Sequence, residues 1–227
     1  KALASQRCGI PQDKILLSGT HTHSAPASNV KEGPTEAIAY RKVLIEGVAE
    51  AIVCAHAALF PCAVGHAVEP LPEEVFNRRW FLKPGTVPTN PFGSDGDIVK
   101  MNPGRGPNLI NPAGPTDPEV STLYVVDGSN RPLAIFANYS LHYVGNTGAE
   151  MSADYFGEFA RLMPVRVRKH AEDFVAMMSN GTSGDINNIN FRNPRPRREP
   201  YEQIRIVASK TADAATHALR QIDSPAS

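Results

Sequence analysis

The segment Thr20-His21-Thr22-His23 sets two imidazoles two residues apart, directly after the short apolar run Ile15 to Ser18. Alternate side chains of an extended strand share a face, so both rings would point the same way if the strand continues through them. Imidazole nitrogen is a preferred zinc ligand, and a catalytic zinc takes about three protein ligands while keeping one position open for water. Two histidines fall short of that number. The alternative is a polar strand end whose histidines hydrogen-bond to backbone.

Two further clusters could complete such a site. Asn138-Tyr139-Ser140-Leu141-His142 ends an apolar run from Leu133, and His142 lies 121 residues beyond His21. Residues this distant meet when the carboxyl ends of strands converge on one pocket. A satisfied buried histidine is the competing reading. The third cluster, Met178-Ser179-Asn180-Gly181-Thr182-Ser183-Gly184-Asp185-Ile186-Asn187-Asn188, again follows a buried strand. Its glycines let backbone N–H groups approach a ligand, and a serine there could act as donor or nucleophile if a base stood beside it. Taken alone, the same composition describes a turn. Asn138-Tyr139-Ser140 and Asn180-Gly181-Thr182 match glycosylation acceptors and are discounted, because both lie within these strand-end clusters. His56, His66, His170 and His217 have no paired ligand in sequence and are assigned no chemistry.

The elements that must position these clusters alternate along the chain. Ile15 to Ser18 reads as a buried strand after Pro11-Gln12-Asp13, and Thr35 to about Leu59 as a helix stopped by Pro61. Cys62 to Val68 reads as a strand, and Leu123 to Val126 with Leu133 to Tyr139 as a hairpin around Asp127-Gly128-Ser129-Asn130. Asp154 to about Met163 reads as a helix, Phe174 to Met178 as a strand, and Tyr201 to Ile222 as a closing helix. The class is α/β, a mixed sheet with flanking helices and the site at strand ends. Residues 83–118 hold many of the 20 prolines and 17 glycines and show no periodicity, which marks a long functional or disordered loop. Arg192 to Arg198, interleaved with Pro194 and Pro196, reads as an exposed extended segment.

Composition narrows the function classes. The 227 residues are 41% hydrophobic and 20% charged, enough to bury one core. Lys plus Arg and Asp plus Glu both number 23, so the zero net charge offers no field to gather phosphate backbones or anionic lipid. Nucleic acid is not an expected partner. No apolar run approaches the roughly 20 residues of a membrane span, and the opening residues carry no apolar core of a signal peptide. Cys8, Cys54 and Cys62 form neither a disulfide framework nor a thiolate zinc knuckle. Nothing in the sequence sets an oligomeric state.

Taken in order, the three clusters, with Asn77-Arg78-Arg79 and Ser152-Ala153-Asp154-Tyr155, resemble the catalytic domain of the neutral/alkaline non-lysosomal ceramidase family. The most specific block is Ser18-Gly19-Thr20-His21-Thr22-His23-Ser24-Ala25-Pro26, which differs from the family's Thr-His-Thr-His-Ser-Gly-Pro at Ala25. The resemblance implies that His21 and His142 bind a catalytic zinc and that His23 contacts substrate or the reacting carbonyl. It implies that Arg78 holds substrate and gives Ser179 a nucleophilic role, although Gly184-Asp185 follows two residues later than the family spacing. The implied activity is zinc-dependent hydrolysis of the amide of ceramide, another N-acyl lipid or a small-molecule amide, in a secreted or periplasmic setting.

The family's remaining ligands, a glutamate and a tyrosine, lie downstream of any matching segment here, so the resemblance implies a single partial domain over residues 1–227. Asp154 or Asp185 would then be the carboxylate available to replace them. The alternative is a truncated, non-catalytic relative that binds metal or ligand.

Overall fold

The computed structural model describes residues 1–28, 31–167 and 173–222. Its centre is a four-stranded sheet in the order β1-β6-β7-β8, formed by β1 (Ala63–Pro70), β6 (Glu119–Val126), β7 (Pro132–Tyr139) and β8 (Val175–Asn180). The predicted hairpin is β6–β7, antiparallel from Val120↔Tyr139 to Val126↔Pro132 across the expected turn. Asp127 closes that turn by accepting the Ser129 and Arg131 N–H groups. β8 runs parallel to β7, pairing Ala134↔Val175 through Tyr139↔Asn180. Parallel neighbours need a crossover, and α3 (Asp154–Val167) supplies it.

Alternation explains which side of the sheet is covered. Ile135, Ala137 and Tyr139 face the core, where they meet Tyr155, Phe159 and Met163 of α3 and Val207, Ala208, Ala212 and Ala215 of α4 (Glu202–Leu219). The small residues of α4 let it pack closely beside α3. The opposite face leaves Val64, Leu123, Phe136 and Met177 exposed. The mixed α/β class and the flanking helices are as expected.

Several expectations need correction. Ile15 to Ser18 forms no strand: Ile15 is buried beside Ala4 and Ala49, but Leu16 is 88% exposed and the run pairs with no neighbour among the described residues. The backbone reaching His21 is therefore irregular, not an extended ladder. The helix from Thr35 is present as α2 (Thr35–Ala57), packed on α1 (Ala2–Cys8) around Ala49, with Ile38 and Ile45 exposed.

Residues 83–118 are also more ordered than their composition implies. Within them β4 (Val99–Met101) and β5 (Leu109–Pro112) pair on either side of β3 (Arg79–Leu82), around a small core of Trp80, Leu82 and Phe191. The pair β2 (Phe76–Asn77) and β9 (Ile186–Asn187) ties this smaller sheet to the loop after β8.

Finally, Arg192 to Arg198 is more than a solvated segment. Arg195 reaches the carboxylate of Glu74, a residue only 1% exposed, which also binds Lys210 of α4 and the Asn188 amide. His170 lies outside the described residues.

Candidate metal centre

The three histidines singled out from sequence come together. One nitrogen from each of His21, His23 and His142 falls within 4.8 Å of the others, and this is the metal-capable group among the described residues. The Nε2 atoms of His21 and His23 are 3.0 Å apart, and the His21 and His142 rings meet edge to face at 4.7 Å. His21 and His23 are exposed on the open side of the group, whereas His142 is only 5% exposed and forms its floor. Imidazoles gathered with one side open are the kind of donor a catalytic zinc site uses.

The route to this geometry differs from the strand alternation expected. His21 has φ +61, in the left-handed region that side chains with a Cβ seldom adopt. Such strain persists where surroundings over-determine it. Here Asn180 Nδ2 donates to the Thr20 carbonyl at 2.7 Å, the Thr22 hydroxyl to the Ser152 carbonyl at 2.8 Å, and the Ser24 and Thr147 hydroxyls bond at 3.0 Å.

His142 follows β7 by three residues, and its Nδ1–H donates to the Ser183 carbonyl at 2.8 Å. That bond leaves the Nε2 lone pair free, the arrangement that orients ligand histidines in metal proteins. Burial lowers the His142 pKa; the Ser183 carbonyl opposes this, and the charges of Arg78, His21 and His23 lower it further. His23 is lowered too, by burial first and then by His21 and Arg78, with Asp154 opposing. Neutral rings are the form a metal requires. The ring of Tyr143 stacks on His23 at 3.7 Å with 15° between planes, fixing its orientation.

Arg78 anchors its guanidinium on the Gly184 carbonyl through Nε at 3.1 Å and Nη2 at 2.5 Å, near enough for its charge to act on His23 and His142. Arg79 is exposed. Ser179 Oγ accepts from Asn138 Nδ2 at 2.8 Å. That partner is an amide and no base, so the activation a serine nucleophile needs is not among its bonds.

Neither carboxylate considered as a replacement ligand joins the histidines. Asp154 spends its oxygens on the N–H groups of Val144, Gly145 and Tyr155, and Asp185 accepts from Asn77 Nδ2. Sequence reasoning missed Tyr143 and the Ser183 carbonyl, and it singled out Ser152-Ala153-Asp154-Tyr155 without the bonds that tie it to the histidine segments. The signal available for them was position alone, beside His142 or within an otherwise turn-like cluster.

The arrangement defines a mixed α/β domain with an imidazole cluster where the ends of two parallel strands meet an irregular loop. Over most of its length the chain has the fold of a bacterial neutral ceramidase. It superposes on the neutral ceramidase of Pseudomonas aeruginosa with a TM-score of 0.56 at 19% identity, covering 81% of this chain and 26% of that one. A ceramidase complexed with C2 gives a TM-score of 0.64 at 19% identity, covering 90% of this chain and 30% of that one. This chain thus spans less than a third of either structure. No protein-family model and no curated protein matches the sequence.

Proposed function

We propose that this domain belongs to a zinc-dependent amide hydrolase of ceramidase type, acting on ceramide, another N-acyl lipid or a small-molecule amide. The observation that supports it most is the convergence of His21, His23 and His142, within reach of the charge of Arg78, in a chain whose fold matches ceramidases. His21 and His142 hold the metal, with His142 aimed by the Ser183 carbonyl. Bound there, zinc supplies a Lewis acid and lowers the pKa of coordinated water toward neutrality. His23, stacked on Tyr143, and Arg78, braced on Gly184, face the substrate carbonyl and stabilise the charge that develops on its oxygen. Ser179 lines the same strand end, where its hydroxyl is held by Asn138. A secreted or periplasmic setting belongs to this proposal; among the described residues no helix is long and apolar enough to cross a membrane.

A second reading, a metal- or ligand-binding domain without turnover, draws support from the absence of a carboxylate in the histidine group among the described residues. Zinc per chain after dialysis, measured by elemental mass spectrometry in wild type, His21→Ala, His142→Ala and His23→Ala, separates the readings together with a ceramide amidase assay. The expected result is about one zinc in wild type, lost in His21→Ala and His142→Ala. His23→Ala should keep zinc and lose about 100- to 1,000-fold in turnover. Zinc lost as completely in His23→Ala would make that ring a third ligand. Zinc bound without amidase activity would favour the second reading, and no zinc in wild type would sink the proposal.

A further inference from the structure

Ser152 and the first residues of α3 together touch both segments that bear the imidazoles. On the His142 side, the Tyr155 hydroxyl donates to the Leu141 carbonyl at 2.9 Å, one residue before the histidine. The Asp154 carboxylate accepts the N–H groups of Val144 at 3.0 Å and Gly145 at 2.8 Å, two and three residues after it. On the His21–His23 side, the Ser152 carbonyl accepts from the Thr22 hydroxyl at 2.8 Å, and the Ser152 N–H donates to the Ser24 carbonyl at 2.8 Å. These bonds flank His142 on one segment and His23 on the other.

Asp154 holds this turn in shape. It is only 3% exposed and has φ +54. A third bond runs from the Tyr155 N–H to its Oδ1 at 2.7 Å, and its own N–H donates to Ser152 Oγ at 3.0 Å. A buried carboxylate accepting several N–H groups forms charge-assisted bonds, roughly twice as strong as neutral ones. Left-handed backbone at a residue with a Cβ marks a conformation that its surroundings enforce.

We propose that Asp154 is a positioning residue that locks the Ser152–Tyr155 turn as a clamp, holding the His142 segment and the His21–His23 segment in fixed register. It touches neither metal nor substrate and acts through the chain on either side of the imidazoles. The metal arm of its test rests on the zinc reading above; the arm on the metal-free chain does not.

The test compares Asp154→Asn with Met163→Ala, a buried core residue of the same helix. In metal-free protein, ring ¹H–¹⁵N correlations of His21, His23 and His142 should all shift in Asp154→Asn, while those of His66 and His217 stay in place. Zinc affinity, measured well below the unfolding transition, should weaken by about 10- to 100-fold in Asp154→Asn. Met163→Ala should lower the melting temperature and leave zinc affinity unchanged. Should Asp154→Asn not fold, Thr22→Val removes one of the two bonds from the clamp to the first segment and none to the His142 segment, and should shift His21 and His23 while sparing His142. The clamp is overturned if Asp154→Asn behaves as Met163→Ala does, or if His142 alone responds. It is equally overturned if Thr22→Val moves neither His21 nor His23. A wild type that binds no zinc sinks the metal reading, and the ring signals still decide the clamp.

Discussion

At the scale of the residue, protons and the proposed metal would compete for the same imidazole nitrogens. His23 and His142 are held below the ordinary imidazole pKa of 6.5, burial being the first cause for each. The folded rings therefore stay neutral to a lower pH than unfolded ones would. Zinc retention should be flat from alkaline pH down to about 6.5 and decline only below it, and acid should favour unfolding over the same window because the unfolded rings bind more protons. Zinc content after dialysis at stepped pH checks this, and a decline that begins clearly above 6.5 would contradict it. The histidines themselves were legible in sequence, since imidazoles beside Thr, Ser and Asn at the end of an apolar run mark a strand end. The left-handed His21 was not, because its backbone is imposed by Asn180 and Ser152, more than a hundred residues away.

At the scale of the element, long alternating or helical runs declared themselves and short ones did not. β6, β7, α3 and α4 each bury one clear face, so period alone located them. β4 and β5 have three and four residues among prolines, glycines and asparagines, too few for a period to emerge. Ile15 to Ser18 shows the converse error: its apolar residues find no neighbouring strand among the described residues, so composition without a partner makes no ladder. Close approach was equally hidden. A Cβ built on Gly181 would lie 2.7 Å from Ser140 Oγ and 2.8 Å from Asn138 Oδ1, and Ser140 is fully buried with bonds to Asp117 and Thr182. Gly181→Ala should then destabilise the domain by about 1–3 kcal/mol through overpacking where β7 and β8 end. Equilibrium denaturation measures this, and an unchanged midpoint would show that the two side chains yield freely.

At the scale of the whole molecule, the Glu74 network joins parts that sequence keeps far apart. Its carboxylate binds Lys210 at 2.6 Å, Arg195 at 2.7 Å and Asn188 at 2.7 Å, uniting the turn before β2, the Pro–Arg segment and α4. Burial pushes the Glu74 carboxyl up, but the Lys210 and Asn188 bonds and the two cations outweigh it and leave the pKa below 4.5. This stabilisation is present above 4.5 and lost as pH falls through the lowered folded value. Glu74→Ala would strand two cations and should cost about 3 kcal/mol, the low end for a broken buried pair because both partners reach solvent. Glu74→Gln should flatten the acid limb of a urea-midpoint-against-pH profile, and an unchanged limb would remove Glu74 from the account. The β7–α3–β8 crossover has a consequence for folding order. Local contacts can build this unit early, and with it His142 and the turn at residues 152–155. His21 and His23 arrive only after a loop of about 120 residues closes, an entropic cost that slows long-range contacts. The metal-ready cluster should thus be among the last parts of the chain to assemble, so its appearance in refolding would report the completed domain.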